Sequence, residues 1–158
     1  FRAPAIPHRT EGHAMSPFER DLDRTPANHA PLTPVSFIAR TAHIWPERVA
    51  VIHGARRYTW RETYERSARL AAALRAMGVG RGTTVSVMLP NTPEMIEAHY
   101  AVPALNAVLH AINVRLDAAL IAWQMQHCES EVLITDREYS ATMRTALEIL
   151  RRLVEKAR

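Results

Sequence analysis

The alternation in the middle of this chain constrains its fold more than any other feature. Residues 84–89 (TVSVML) read as a strand closed by Pro90, and residues 92–106 read as a helix opened by Thr92-Pro93-Glu94. Residues 108–112 (VLHAI) read as a second strand, Asp117 caps a helix to His127, and residues 132–135 (VLIT) make a third strand. Strands separated by helices of this length cannot pair as hairpins. They must lie parallel and be joined by right-handed crossovers, which gives an α/β fold built on a mostly parallel sheet, three-layered or doubly wound.

The flanks add smaller elements. Thr33 and Pro34 suit the N-cap and first position of a short helix through His43, with Val35, Ile38, Ala39 and Ala42 at helical spacing. Residues 49–52 and 57–60 flank Gly54 as a small hairpin. Thr59 and Glu62 stand in capping-box register ahead of a helix whose expected inward stripe is Tyr64, Ala68, Ala71, Leu74 and Met77, ended by Gly78. A last amphipathic helix, 139–158, carries Met143, Ala146, Leu147, Leu150, Leu153 and Val154 and is followed by no strand, so the α/β unit is expected to be incomplete. Residues 1–33 hold scattered prolines and no periodicity. They read as an extended, disordered arm, with residues 1–14 standing upstream of a start at Met15; the folded domain is placed at 34–158.

Composition excludes several classes. Apolar residues make up 47% and charged residues 23%, as in ordinary globular domains. Apolar runs are broken at Asn106 and His110, short of the ~20 residues needed to span a bilayer. The net charge of +4 is spread as Arg interleaved with Glu, seen in Glu62, Glu65, Arg66 and Arg69, which is a solvated helix face and no nucleic-acid stripe. A single cysteine, Cys128, forms no internal disulfide and fits a reducing, cytoplasmic setting; it reads as a small packed side chain.

Tests for chemistry return no catalytic, cofactor-binding or metal-binding residue. Gly78-Val79-Gly80-Arg81-Gly82 follows a helix and precedes a strand, the reverse of a phosphate loop. The eight histidines show no metal spacing; His99 and His110 read as ordinary packed or surface residues. Glu62 with Glu65 and Glu129 with Glu131 read as surface charge, no Gly-x-Ser-x-Gly elbow exists, and the methionines and tryptophans, Trp45 and Trp123 among them, read as core.

Six segments in order carry a family resemblance: Trp45-Pro46-Glu47-Arg48-Val49-Ala50-Val51, Tyr58-Thr59-Trp60-Arg61-Glu62, Gly78 to Thr83, Leu89-Pro90-Asn91-Thr92-Pro93-Glu94, Ala107 to Leu116, and Val132-Leu133-Ile134-Thr135-Asp136. Together they resemble the N-terminal region of the adenylate-forming, AMP-binding superfamily, most of all its acyl-CoA synthetases. The resemblance implies an incomplete N-terminal subdomain of that fold. It also implies a reaction: a carboxylic acid, expected to be a fatty acid, is activated with ATP and magnesium as an acyl-adenylate and passed to coenzyme A.

The same resemblance implies that the chain is inactive alone. The family's Thr/Ser/Gly-rich loop ending in Pro-Lys-Gly, its aromatic-Thr-Glu segment, its ribose-binding aspartate and its C-terminal lysine have no counterpart in these 158 residues; Lys156, the one lysine, lies on the terminal helix. A fragment of an acid–CoA ligase is therefore the first expectation. The alternative is a non-catalytic interaction module or pseudo-enzyme on the same scaffold, self-associating through exposed core faces.

Overall fold

Thr33 opens the first helix: its hydroxyl accepts the Ser36 N–H at 3.2 Å, Pro34 takes the first helical position, and α1 runs Pro34–Ile44. The computed structural model describes residues 33–156, with Thr25, Ala27, His29 and Ala30 ahead of them. The readings of an N-terminal arm, of a start at Met15 and of the last two helical residues fall outside the described residues, those four and Thr33 apart.

A hairpin follows, β1 (Val49–His53) antiparallel to β2 (Arg56–Thr59), turning at Gly54 with φ +59°. Helix α2 (Trp60–Ala76) begins at once. Thr59 accepts the Glu62 N–H at 3.2 Å while the Glu62 carboxylate accepts the Thr59 N–H at 2.7 Å, a reciprocal capping box. This cap claims Trp60 for the helix, where the sequence reading had it in the strand. At the other end Gly78, φ +91°, lets its N–H reach Arg75 O and the Val79 N–H reach Leu74 O, both at 3.0 Å, which closes a Schellman motif.

The inward face of α2 differs from expectation. Thr63, Ser67 and Leu74 are buried, whereas Tyr64 and Met77 are 41% and 66% exposed. Thr63 and Ser67 can be buried because each hydroxyl donates to the carbonyl four residues back, Thr59 O and Thr63 O, at 2.8 Å. An apolar-only stripe misses such satisfied hydroxyls.

The parallel sheet is ordered β4-β3-β5, from β3 (Thr84–Met88), β4 (Val108–Ala111) and β5 (Ser130–Thr135). Helix α3 (Pro93–Ala101) links β3 to β4, α4 (Ala118–His127) links β4 to β5, and α5 (Ser140–Lys156) follows β5. Asp117 caps α4 as expected, its Oδ1 accepting the N–H groups of Ala119 and Leu120 at 2.9 Å. Helix α3 ends sooner than expected. Pro103 has no N–H to extend it, so the chain tightens into a 3-10 turn (Pro103–Leu105) and leaves it through Asn106 at φ +55°.

Every residue of β3 is buried. Its alternation divides two cores. Val85 and Val87 face Leu74, Ala98 and Val102 on the α2–α3 side, and Met88 faces Ile121, Met125, Met143 and Ala146 on the α4–α5 side. At about 1.5–3 kcal/mol for each large apolar side chain buried, this strand holds the three layers together. Met88, Met125 and Met143 are core as expected; Trp45 and Trp123 are instead 52% and 54% exposed.

Candidate functional site

In an open parallel sheet, ligands lodge beyond the carboxyl ends of the strands, where neighbouring strands send their connections to opposite faces. Here that condition holds on both sides of β3, toward β4 and toward β5. The chain leaves β3 toward α3 on one face and leaves β5 toward α5 on the other, and the Asp136 N–H donates to Met88 O at 3.2 Å to hold the two exits together. A crevice of about 400 Å³ opens there, with Leu70, Leu89 and Ile134 as apolar lining and Thr92, Glu94, Glu97, Thr135, Asp136 and Arg137 as polar lining.

Three of its charges are already engaged. Glu97, 7% exposed, accepts Arg66 Nε at 2.5 Å, and Arg66 also lies over the Tyr58 ring at 4.6 Å. Glu94 accepts Arg56 at 2.8 Å and lies 3.7 Å from Arg66. Burial pushes the Glu94 carboxyl up, but its own backbone N–H, Arg56 and Thr92 outweigh that and hold it below 4.5. Asp136 caps the short turn after β5, accepting the Glu138 N–H at 2.9 Å. The hairpin, α2 and α3 are thereby tied together beside the crevice. Arg137, exposed, makes no side-chain hydrogen bond or ion pair among the described residues. Across the β3–α3 loop a second hollow, of about 520 Å³, is lined by Pro90, Asn91, Asn113 and Arg115 among others.

A polar knot sits on the α4 side of the sheet. Ser86 of β3, wholly buried, lies 2.7 Å from His110 Nδ1 of β4 and also bonds to Ser130 of β5. Cys128, at the C-cap of α4, brings its Sγ to 3.3 Å from the same nitrogen and 3.4 Å from Ser130 Oγ. The sequence reading took Cys128 as a small packed side chain; parallel pairing sets His110 beside it from 18 residues away. The signal was the Ser86↔His110 register, visible only once β3 and β4 are known to pair. Burial lowers His110 below its ordinary value, against a raising bond from Gln124.

The remaining flagged residues lie apart. His99 is exposed on α3, its Nδ1 2.8 Å from Met95 O, and does not join His110. Glu62 serves the capping box, Glu65 lies 3.9 Å from Arg69, and Glu129 and Glu131 are exposed. Among the described residues no three of His, Cys, Asp and Glu are placed to hold a metal ion. No helix among them is long and apolar enough to cross a membrane. The glycine cluster is the α2 C-cap and the turn into β3, and presents no helix N-terminus to a phosphate.

Comparison with known proteins gives a consistent picture. The sequence profile described as "AMP-binding enzyme" matches residues 38–157. The peroxisomal acetate/butyrate–CoA ligase of Arabidopsis thaliana is 45% identical over 130 residues, covering 82% of this chain and 23% of that protein. The O-succinylbenzoate coenzyme A synthetase of Bacillus subtilis, in complex with AMP, superimposes with a TM-score of 0.66 at 27% identity over 72% of this chain and 29% of that one. The inhibitor-bound N-terminal domain of FACL13 from Mycobacterium tuberculosis has the same fold, with a TM-score of 0.68 at 24% identity over 70% of this chain and 28% of that domain. The chain thus spans under a quarter of the length of the curated relatives it matches.

Proposed function

Since this chain belongs to the AMP-binding enzyme family, we propose that it is the scaffold portion of an ATP-dependent acid–CoA ligase. The whole enzyme activates a carboxylic acid as its acyl-adenylate and hands the acyl group to coenzyme A. A carboxylate oxygen is a poor leaving group, and joining it to AMP makes it a good one. The observation that carries the reading is 45% identity over 130 residues to a CoA ligase, supported by superposition on a coenzyme A synthetase with a TM-score of 0.66.

The 158 residues alone are inactive on this proposal. They contribute strands β3 to β5 and the crevice, while the groups that hold ATP and magnesium come from sequence not among them. The acid is proposed as a carboxylic acid with an aliphatic or aromatic tail, since one relative is named for acetate and butyrate and a structural neighbour for O-succinylbenzoate. A fatty acid is the longer-chain version of the same proposal. The single cysteine supports a reducing, cytoplasmic setting; a plant relative named peroxisomal makes the organelle the competing compartment, and cell fractionation decides between them.

Two assays test this. The purified chain should give only background ATP–pyrophosphate exchange with acetate, butyrate, benzoate and octanoate; exchange above background overturns the inactive-scaffold reading. A chimera with residues 34–156 grafted in place of the matching segment of the Arabidopsis ligase should retain exchange with butyrate. A folded chimera without exchange would sink the ligase-scaffold reading. It would favour the interaction module, whose specific support is the exposed apolar pair Trp123 and Leu120 on α4.

A further inference from the structure

The tip of the hairpin reaches α3 through a chain of three side chains. Arg56, at the start of β2, donates from Nη1 to Glu94 Oε1 at 2.8 Å and from Nη2 to His53 Nδ1 at 3.1 Å. His53 ends β1 on the other side of the Gly54 turn. A guanidinium has donors and no acceptor, so the imidazole must accept at Nδ1, and it can do so only while uncharged. Glu94 stands in the first turn of α3 and lines the crevice beyond β3 and β5. Its other cationic neighbour, Arg66, is farther, at 3.7 Å, and is drawn to Glu97 at 2.5 Å.

The charges on the surrounding elements are engaged elsewhere. Strand β1 holds no further ionisable side chain, Arg57 of β2 stands opposite Ile52, and Tyr58 lies under Arg66. On α2, Arg61 is held by Glu47, Glu62 by the capping box, and Arg69 lies beside Glu65. Among the described residues Arg56 is the one hydrogen-bond partner of the His53 ring. We propose that His53 is a proton-operated latch: uncharged, it steadies Arg56 on Glu94; protonated, it sets a second cation beside the guanidinium, so that the hairpin tip releases α3 and the Glu94 carboxylate in the crevice loses its nearest partner. Arginine keeps its charge throughout, and Glu94, held below 4.5, is ionised at neutral and mildly acidic pH. Histidine is thus the member of the chain that changes charge between about pH 5 and 8. The latch stands on these three side chains and holds whether or not the whole enzyme is a ligase.

The test is native-state amide hydrogen exchange on the 158-residue chain at about pH 7.5 and about pH 5.5, which bracket ordinary histidine titration, each rate divided by its intrinsic rate at that pH. Protection of residues 51–58, taken relative to β3, should fall about two- to fivefold at the lower pH, the scale of one exposed ion pair. The Glu94 Cδ resonance should move over the same interval. His53→Gln, which keeps an acceptor and takes up no proton, should retain the higher protection at both pH values; Arg56→Gln should show the lower protection at both. Both positions are exposed, so neither variant disturbs the core. The proposal is overturned if wild-type hairpin protection is equal at the two pH values, or if it rises at the lower one, which would mean that protonated His53 joins Glu94 itself. A wild-type pH response in His53→Gln or Arg56→Gln overturns it as well.

Discussion

Replacing Glu97 with alanine should cost more than any other single change to an ionisable side chain of this fold. The carboxylate is 7% exposed and receives Arg66 Nε at 2.5 Å, so its removal strands a guanidinium whose side chain is only 28% exposed. Breaking a fully buried pair costs about 3–5 kcal/mol. Two features reduce that here: Arg66 keeps part of its side chain in water, and Glu94 lies 3.7 Å away as a second acceptor. The expected loss is therefore about 2 kcal/mol, within the range of hydrogen bonds to charged groups. For a folded unit of roughly 120 residues that lowers the thermal midpoint by about 6–10 °C. Urea unfolding followed by circular dichroism measures it, with an unchanged denaturant slope as the sign that compactness is preserved. The pair Arg66→Met with Glu97→Leu should recover most of the loss, because it removes both charges together. A Glu97→Ala cost under about 0.5 kcal/mol, or a double variant as damaged as the sum of the singles, would refute the reasoning.

Further outcomes follow from the caps and the buried imidazole. The Thr59 N–H, then the Thr59 hydroxyl and Arg66, hold the Glu62 carboxyl below its ordinary 4.5. The capping box therefore stabilises fully above pH 4.5 and is lost as pH falls through the depressed value; Glu62→Gln should flatten that part of the urea-midpoint profile. Thr59→Ala should cost about 1 kcal/mol in the same assay at neutral pH. Burial holds His110 below 6.5 in the folded chain, so the unfolded chain takes up its proton first as pH falls. Stability should decline as pH drops from 6.5, and His110→Asn should remove that decline. Gly78→Ala forces a side chain into φ +91° and should cost about 1 kcal/mol or more by thermal melt, although nothing lies within 4 Å of the added carbon.

What could be read from the sequence was local. Thr33 with Pro34, Thr59 with Glu62, Asp117 and Gly78 announce their helix ends because the partners of each cap lie within a few residues. The strand–helix alternation declares the parallel sheet for the same reason, through periodicity along short stretches. What escaped depends on pairing across the chain. Arg66 meets Glu97 from 31 residues away, and Ser86 meets Ser130 from 44 away, so neither contact exists until the sheet order is known. Thr63 and Ser67 escaped for another reason: polarity alone says surface, and only the back-bonded hydroxyls explain why they face inward. The crevice likewise appears only when β3 and β5 are seen to be neighbours with exits on opposite faces.

The central position of β3 has a consequence for synthesis of the chain. The strand is made before both of its partners, and its flanking strand β5 is completed only at Thr135. With roughly 47 residues still to be added after Met88, at about 5–20 residues per second, a ribosome holds this strand, buried along its whole length in the fold, without its sheet for about 2–10 s. The hairpin, whose two strands are already made, can form during that interval. A trigger-type chaperone that shelters nascent apolar segments would therefore find its target between Thr84 and Leu89, and ribosome pausing between Val108 and Thr135 would lengthen that exposure.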